Sequence, residues 1–574
     1  MSAPETRDAW WRRLARRLSR RPRDRGLVWH PAPRDSGAPG RGRQMVTGLW
    51  HMAGQVVDAP DRSPWDIVPP STPFEMQLHG QGWLDDLMAL GTADAVAKAQ
   101  VWTLDWMRRF RGGRGPGWDP SLTGRRLLRQ IDHAAVLLPG LEARKQAAYL
   151  DALYAQAAQL RRSWPEAPAG LARVEALTGL LFAGLSLKGL APLVGEAAVA
   201  LAEAVERDVA PDGGIAARNP EALLELAMLL DWAIGGFRAR SAVPVALTAA
   251  HMRIAPTLRA LTHADGGLAR FHGGGRGRPG RLERVLARTG VDGRRDDGRA
   301  MGFASIARGA TTLIVDAAAP ATGESSGSAH ASTLAFELTS GAAPLVVNCG
   351  PGGAHGPDWH RAGRATASHS TLGLEGHSSA RVGALIPLGR RRIAPLVQIP
   401  GRVDCQRADT ARAAILLARH DGYVPGHGLT HLRRLALSQD GLTLEGEDSL
   451  RAMGGADRAR LDMARAETSG VAFDIRFHLH PDAAATHDAA TSEVAITLPT
   501  GEVWAFRSAS EALMTLASSV YLEPDRPKPR PSLQVVLSGR LVSYAATIDW
   551  TLTRLHAATP PDDAEPRPAR RTLR

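Results

Sequence analysis

The chain has 574 residues, which is too long for one hydrophobic core and predicts two or three domains. Its 44% hydrophobic and 22% charged residues are typical of globular proteins and argue against wholesale disorder. The formal net charge of +12 lies mostly in residues 1–43, which hold twelve arginines against four acidic residues. The remaining chain is not strongly basic and has no aromatic–basic motif, so nucleic-acid binding is not expected. No apolar run is long enough to predict a transmembrane helix, and two cysteines do not make a disulfide framework.

The basic N-terminal arm, residues 1–43, contains a short amphipathic segment at residues 9–18 with two tryptophans and four arginines. Peripheral contact with an anionic membrane surface is one role for such a segment. A solvated arm without a partner is the alternative. The arm has no recognisable secretory signal, which predicts a cytoplasmic location by default.

Residues 44–270 are predicted to form a helical domain. As far as about residue 80 the sequence is irregular and rich in Pro, Gly and Arg, like an arm that packs onto a later domain. Beyond it, Gly- and Pro-containing breakers separate segments of helical periodicity, at residues 83–110, 124–138, 141–163, 171–187, 194–209, 220–238 and 243–261. Antiparallel helices joined by such short loops predict a helical bundle or an α/α toroid.

The second half of the chain changes to strand periodicity. Residues 271–300 are predicted to be a Gly- and Arg-rich linker. Over residues 301–555 the hydrophobic period drops to two in short segments such as 311–315 and 473–479, which predicts an antiparallel β-sandwich. The tail, residues 556–574, is predicted to be disordered. The expected fold is therefore α+β and multidomain, an α/α toroid followed by an antiparallel β-sandwich.

Several short motifs carry a family resemblance. They lie at residues 118–126, 212–220, 330–337, 347–350, 364–372, 419–423, 431–434 and 476–481. Together they resemble the heparinase II/III family of polysaccharide lyases, and the motif at 364–372 has His-Ser-Thr where that family has His-Asn-Thr. The resemblance covers about residues 80–555. It implies a toroid-plus-sandwich fold, a periplasmic or envelope location as an alternative, and cleavage of an acidic, uronic-acid-containing glycan by β-elimination.

Two positions depart from the family pattern. The family's lyases carry a Tyr on the toroid helix after the Asp-Gly segment and a His two residues before the signature His. Here no Tyr lies between residues 155 and 422, so none is on the helix after Asp212, and the second position is Ala367. The usual acid/base pair is thus missing or replaced.

The candidate catalytic residues are those that could perform the steps of β-elimination. A uronate lyase must neutralise the carboxylate, remove the C5 proton and protonate the departing O4. Arg218 and Arg364 are the candidate cations, because a guanidinium binds a carboxylate with two hydrogen bonds. Asn219 and Tyr423 complete the set. Each has a structural alternative. Asn219 followed by Pro220 would be a helix N-cap, Arg364 would form a structural ion pair, and Tyr423 would be a half-buried aromatic ring at a strand edge.

The resemblance also implies one zinc ion in the β domain, bound by two His and one Asp. His369, His431 and Asp421 have this ligand chemistry, and His420 is an alternative ligand. We predict that His369 lies within coordination reach of at least one of the other three. A histidine satisfied within the core is the alternative for each position. No organic cofactor is expected.

Three functions remain open at this stage. The first is a polysaccharide lyase acting on an acidic glycan such as a glycosaminoglycan. The second is a catalytically altered member that binds an acidic glycan or envelope polymer without cleaving it. The third is a cell-envelope scaffold whose toroid engages protein partners.

Overall fold

The computed structural model describes residues 25–557, apart from 32–36, 114, 294–297, 389–390, 467–468 and 525. The amphipathic segment at 9–18 and all but the first two residues of the predicted disordered tail lie outside the described residues. In the described ranges, no helix has both the length and the apolar character that a membrane span needs.

The first half of the chain is built from antiparallel α-helices and one short hairpin. The hairpin strands are β1 (Leu49–Met52) and β2 (Gln55–Asp58). The helices are α1 (Pro39–Val46), α2 (Thr72–Gly80), α3 (Trp83–Leu90), α4 (Ala93–Arg109), α5 (Pro120–Asp132), α6 (Ala134–Leu137), α7 (Ala143–Ser163), α8 (Leu171–Ser186), α9 (Pro192–Asp208), α10 (Pro220–Arg240), α11 (Val245–Ala260) and α12 (Arg281–Thr289).

Local signals explain where these helices begin and end. The segment predicted as one helix at 83–110 is divided, because Gly91 ends α3 in the left-handed region at φ 67°. Thr92 then caps α4 by accepting a hydrogen bond from the Ala95 amide at 3.3 Å. The predicted linker at 271–300 contains α12, which the Gly-rich composition around it concealed.

The stretch before residue 80 is more ordered than its sequence suggests. It forms α1, the β1–β2 hairpin and α2, and its Trp50 is fully buried. The Trp50 ring lies 5.0 Å from Trp102 and 6.3 Å from Trp83, measured between centroids. Elements of four to nine residues have little intrinsic stability, so tertiary packing rather than local periodicity forms them.

The second half is almost entirely antiparallel strand. Its helices are α13 (Pro357–Gly363), α14 (Val424–His427) and α15 (Gly455–Ala464). Its strands are β3 (Arg299–Ala300), β4 (Phe303–Arg308), β5 (Thr311–Asp316), β6 (Phe336–Ser340), β7 (Ala343–Val347), β8 (Leu372–Leu374), β9 (Arg381–Val382), β10 (Ile386–Leu388), β11 (Arg391–Ile393), β12 (Leu396–Val397), β13 (Val403–Asp409), β14 (Ala413–Tyr423), β15 (Leu429–Ser438), β16 (Thr443–Arg451), β17 (Val471–Leu479), β18 (Ala484–Asp488), β19 (Glu493–Thr497), β20 (Val503–Arg507), β21 (Leu513–Tyr521), β22 (Arg530–Leu541) and β23 (Ala545–His556).

Two large sheets form the sandwich. One has the strand order β13-β14-β15-β16-β23-β20-β19-β18. The other has the order β21-β22-β17-β7-β6-β5-β4-β3, and β8 pairs with β17. Phe473, Ile475 and Phe477 alternate along β17 and are buried between the sheets, as the period of two requires. The predicted fold, an α/α toroid followed by an antiparallel β-sandwich, is confirmed.

The motif at residues 118–126 turns out to pack the toroid core. Arg126 is fully buried, with its guanidinium 3.8 Å from the centre of the Trp106 ring. It donates hydrogen bonds to the carbonyl oxygens of Gly117 at 2.6 Å and His79 at 3.1 Å. His79 Nδ1 accepts from Trp106 Nε1 at 2.9 Å, so the imidazole must be unprotonated at that atom. Burial and, second, the charge of Arg126 lower the pKa of His79 to about 4.

Acidification is expected to destabilise the protein through His79. The pKa of this buried side chain is about 4 in the folded protein against 6.5 for the free group. Its contribution to stability is therefore complete above pH 6.5 and is lost as the pH falls towards 4. The loss should not exceed about 1.4 kcal/mol per pH unit. Urea unfolding of wild type and His79→Gln across this range measures it, because Gln can still accept from Trp106 but does not titrate. A stability difference between the two proteins that stays constant with pH would contradict the assignment.

Candidate functional site

A cleft of about 630 Å³ lies between the helical half and the sandwich. Trp83 and Trp232 belong to its helical wall, and the loop around residues 274–279 lies along it. Pro351 and Tyr521 come from the sandwich. The volume is within the range of sites that hold small ligands or a few sugar units. The cleft is therefore the candidate functional site.

Arginine dominates the charge of this cleft, but much of that charge is paired. Arg129 Nε donates to Asp85 at 2.7 Å, Arg125 pairs with Glu175, and Arg281 pairs with Glu225. The lining arginines are Arg41, Arg125, Arg129, Arg270, Arg276, Arg278 and Arg281; the lining acids are Asp86, Glu175, Glu221, Glu225 and Glu523.

Arg270 is a buried arginine of the cleft with unsatisfied nitrogen atoms. Its side chain is 5% exposed, and its Nε and Nη1 have no hydrogen-bond partner among the described residues. Glu337 and Asp265 lie 3.8 and 3.7 Å from the guanidinium, which is too far for hydrogen bonds. The carboxylate of Glu337 is held instead by His263 Nε2 at 3.1 Å and by the Arg270 amide at 2.9 Å. Burial opposes its ionisation, but His263 and Arg270 outweigh burial and keep the pKa of Glu337 below its usual value.

Tyr521 lies beside Arg270 at the sandwich side of the cleft. Its ring is edge-on to His480, with centroids 5.2 Å apart. Burial raises the pKa of Tyr521, and the positive charge of Arg270 opposes that rise. Burial and the same arginine lower the pKa of His480 to about 4, so this imidazole is neutral near pH 7. Arg270 and Tyr521 thus both line the cleft, and the neutral imidazole of His480 packs against the Tyr521 ring.

Arg218, a sequence-predicted cation, lies instead at the junction between helices and strands. It is 8% exposed and has left-handed backbone at φ 52°. Its guanidinium donates to Asp316 Oδ1 at 2.5 Å. Four backbone carbonyl oxygens also accept from it, those of Met301, Gly302, Ala318 and Ala319 at 2.9 to 3.2 Å. All five contacts are to the sandwich half, so Arg218 ties the two halves together.

Asn219 follows Arg218 and caps the N-terminus of α10, which was the structural alternative to a catalytic role. Its Oδ1 accepts from the Ala222 amide at 3.0 Å, and Pro220 occupies the first position of α10. Its Nδ2 donates to the His272 carbonyl oxygen at 3.1 Å. Both ends of this amide are therefore engaged.

Arg364 and Tyr423 are buried within the sandwich half. Arg364 is 1% exposed and donates to three carbonyl oxygens, those of Ser326, Ala329 and Ala394, at 2.7 to 2.8 Å. Burial lowers its pKa to about 10. Tyr423 is 2% exposed and donates its hydroxyl to the Leu372 carbonyl oxygen at 2.9 Å. Neither residue lines the cleft, and their catalytic roles stay predictions.

The predicted metal ligands lie in separate groups. His369 Nδ1 is 2.8 Å from the Ala365 carbonyl oxygen and its Nε2 is 3.1 Å from His330 Nδ1. Asp421 Oδ1 accepts from the Arg402 amide at 3.0 Å. These contacts engage His369 and Asp421 without any of the other predicted ligands.

His420 and His431 do meet, but their neighbour Asp448 is already engaged. His431 lies 3.2 Å from His420 and 2.8 Å from Asp448. Arg433 binds both carboxylate oxygens of Asp448, at 2.7 and 3.0 Å. Among the described residues, no group of three or more His, Cys, Asp or Glu could hold a metal ion. The structure does not show the predicted zinc site, and zinc binding stays a prediction.

Comparison with known proteins agrees with this architecture. Residues 291–551 match the family model described as "Heparinase II/III-like, C-terminal". FtsZ-localized protein C of Caulobacter vibrioides is 31% identical over 551 residues, 93% of this chain and 91% of that protein. The chain belongs to the heparinase II/III family.

Solved lyases share the fold of this heparinase II/III family member. A crystal structure of heparinase III superimposes with a TM-score of 0.68 at 11% identity, covering 94% of this chain and 88% of that one. A mutant of the heparan sulfate lyase HepC from Pedobacter heparinus gives 0.57 at 14% identity, with 96% and 88% covered. Such identities show the fold alone.

The motifs shared with the heparinase II/III family did not point to Arg270 or Tyr521. Arg270 belongs to none of the motifs that carried the resemblance, and Tyr521 ends β21 in a stretch without a motif. His480 lies within the 476–481 motif, but nothing local pairs it with a tyrosine in another strand. The sheet order, with β21 next to β22 and β22 next to β17, brings Tyr521 to His480. Arg270 reaches Tyr521 from the loop between α11 and α12.

Replacing Arg218 is expected to destabilise the whole chain. Arg218→Met removes the cation that stabilises the buried carboxylate of Asp316. Leaving such a charge without its partner costs roughly 3–5 kcal/mol. Chemical denaturation of the variant, with the exposed Arg361→Met as a matched control, measures the loss. Equal stability of the two variants would show that the junction does not depend on Arg218.

Proposed function

We propose that this heparinase II/III family member acts by binding and is at most a weak lyase. The observation that carries this is the engagement of all four sequence-predicted catalytic side chains inside the protein. The guanidinium groups of Arg218 and Arg364 already donate to protein oxygen atoms. To bind a uronate carboxylate as well, each would have to give up buried hydrogen bonds.

Proton transfer by the predicted residues is equally unfavourable. Burial raises the pKa of Tyr423, and its hydroxyl proton is held by the Leu372 carbonyl oxygen. A general base works best when its pKa lies near the working pH. Burial moves the pKa of this phenol away from that range.

We propose FtsZ as the binding target. The relative that matches 93% of this chain is named for localising with FtsZ. The match extends over both the helical half and the sandwich of this chain and over 91% of that relative. This is the scaffold function with a protein partner that the sequence left open.

An acidic glycan in the cleft is the second candidate. Arg270 and Tyr521 favour it, because the guanidinium has N–H groups without partners and the phenol lies beside it. A uronate carboxylate bound by Arg270 would lie near Tyr521. Burial raises the pKa of this phenol as it does that of Tyr423, so any β-elimination by this pair would be weak. The matched heparan sulfate lyase acts on such a polymer, as its name states.

Lyase activity is expected to be weak. Incubation with heparan sulfate, chondroitin sulfate and alginate, followed by ultraviolet absorbance of the unsaturated product, measures it. Because losing a general acid or base costs on the order of a hundredfold or more, we expect turnover at least about a hundredfold below heparinase III.

Tyrosine variants show whether any cleavage belongs to the cleft. Tyr521→Phe should abolish residual turnover. Tyr544→Phe is the matched control, since Tyr544 is 38% exposed and lies outside the cleft. If wild type turns over substrate as fast as heparinase III and Tyr521→Phe abolishes this turnover, the proposal of at most a weak lyase is wrong.

The chain is expected to bind assembled FtsZ directly. Purified protein should sediment with FtsZ polymers formed in GTP and stay in the supernatant when FtsZ is omitted. Bovine serum albumin controls for trapping in the pellet. Equal sedimentation with and without polymer would contradict FtsZ as the target, while glycan binding could then be measured separately.

A further inference from the structure

A second and larger cavity lies on the helical half and is lined by helical-half residues alone. It runs between α4 and α7 and has a volume of about 1410 Å³. Leu190 and Leu193, before and at the start of α9, also line it. The volume exceeds the usual range of small-molecule sites, so a segment of a macromolecule fits it better. We refer to it as the α4–α7 groove.

Apolar side chains form the walls of the α4–α7 groove. Val101 on α4 is 62% exposed, although it faces the groove. Leu104 follows it one turn later on the same helix. The facing residues of α7 are small, and they include Ala148, Ala152 and Ala155. Small side chains at this spacing let another backbone approach closely, as helix-in-groove recognition requires.

Basic residues surround this apolar surface. The lining includes six basic residues, Arg25, Arg108, Arg111, Arg144, Lys145 and Arg161, against three acidic ones, Asp105, Glu142 and Asp151. Arg108 and Lys145 pair within the groove, with Asp105 at 2.6 Å and Glu142 at 3.0 Å. Arg111 and Arg144 are exposed and make no ion pair or hydrogen bond through their side chains with any described residue. An apolar floor with a charged rim is the usual anatomy of a protein-binding surface.

We infer that the α4–α7 groove binds an acidic segment of a protein partner, one with an apolar face such as an amphipathic helix. The groove follows α4, whose 17 residues span about 25 Å, so it suits a helix of about four turns. The apolar face would cover Val101 and the α7 alanines, and acidic side chains would reach Arg111 and Arg144. This inference rests on the proposed binding function and identifies the surface that would bind the partner.

The chain's own N-terminal arm is the nearest competing occupant. It leaves the described structure at Arg25, which pairs with Asp151 and lies 5.2 Å from the centre of the Tyr154 ring. The arm could therefore reach the groove. Residues 1–24, however, hold eight arginines against three acidic residues, so their charge repels the basic rim. An acidic glycan has the right charge but lacks the apolar face that the walls would cover.

Two probes test the groove with the full-length chain. The first is a synthetic helical peptide of about four turns, with Leu and Ala on one face and Glu on the other, compared with the same peptide carrying Lys for Glu. The second is purified FtsZ. The variants are Arg111→Glu/Arg144→Glu and Val101→Glu, all at exposed positions. The control is Arg361→Glu/Arg412→Glu, an equal charge reversal at exposed positions of the sandwich.

We expect the acidic peptide to bind wild type at least about tenfold more tightly than the basic one. Both groove variants should weaken it by about tenfold or more, and the control should change it by less than about twofold. Loss of FtsZ binding in the same variants would identify FtsZ as the partner. Peptide binding that depends on the groove, without FtsZ binding, would support the groove and overturn FtsZ as the target.

Other outcomes would overturn the inference itself. Equal binding of the acidic and basic peptides would do so. FtsZ binding that the groove variants leave unchanged would also do so, but it would leave the proposed function intact. Displacement of the acidic peptide by a peptide of residues 1–24 would make the arm the occupant. If heparan sulfate displaces the acidic peptide from wild type, and heparan sulfate binding is lost in Arg111→Glu/Arg144→Glu, the groove is a glycan-binding site.

Discussion

The buried ion pair between Arg218 and Asp316 is the contact on which the two-domain arrangement depends. Asp316 is fully buried, and its second carboxylate oxygen accepts from Ser332 and lies 3.3 Å from His272. Burial disfavours the carboxylate charge, yet Arg218 and His272 hold the pKa of Asp316 well below its usual range. Since Arg218 comes from the helical half and Asp316 from the sandwich, the pair joins the two halves of the chain.

The family motifs mostly specify this scaffold. Asp212, in the 212–220 motif that also contains Arg218, accepts from the Met301 amide at 2.9 Å across the same junction. Gly213 has a φ of 79°, and a Cβ there would lie 2.0 Å from the Arg253 carbonyl oxygen, so only glycine fits. His330 Nδ1 and His369 Nε2, from two other motifs, lie 3.1 Å apart and are buried. Such residues are constrained by packing whether or not the protein cleaves a glycan, and for that reason they indicate the family more reliably than the activity.

The sequence was informative where structure is local. Most predicted helices end within a few residues of the observed ones because the periodicity of a helix is set by its own side chains. Asn219 was correctly offered as a cap because Asn-Pro at a helix start is a local signal. Arg270 lies in the loop between α11 and α12 and Tyr521 at the end of β21, so the two meet through tertiary packing, which no local pattern specifies. The same limit hid the role of Arg218, whose five acceptors all lie in the other half of the chain.

The positive charge of the cleft is paired with carboxylates to a greater extent than that of the α4–α7 groove, although Arg278 in the cleft is exposed and has no ion pair with a described residue. In the cleft, Arg125, Arg129 and Arg281 already pair with carboxylates, so an incoming anion must displace a protein partner or share it. Arg270 has unpartnered N–H groups, but it lies between Asp265 and Glu337, whose charges oppose an anion. Arg111 and Arg144 at the α4–α7 groove have no such neighbours to displace within the described structure. An acidic partner would therefore meet fewer competing carboxylates at the α4–α7 groove than in the cleft.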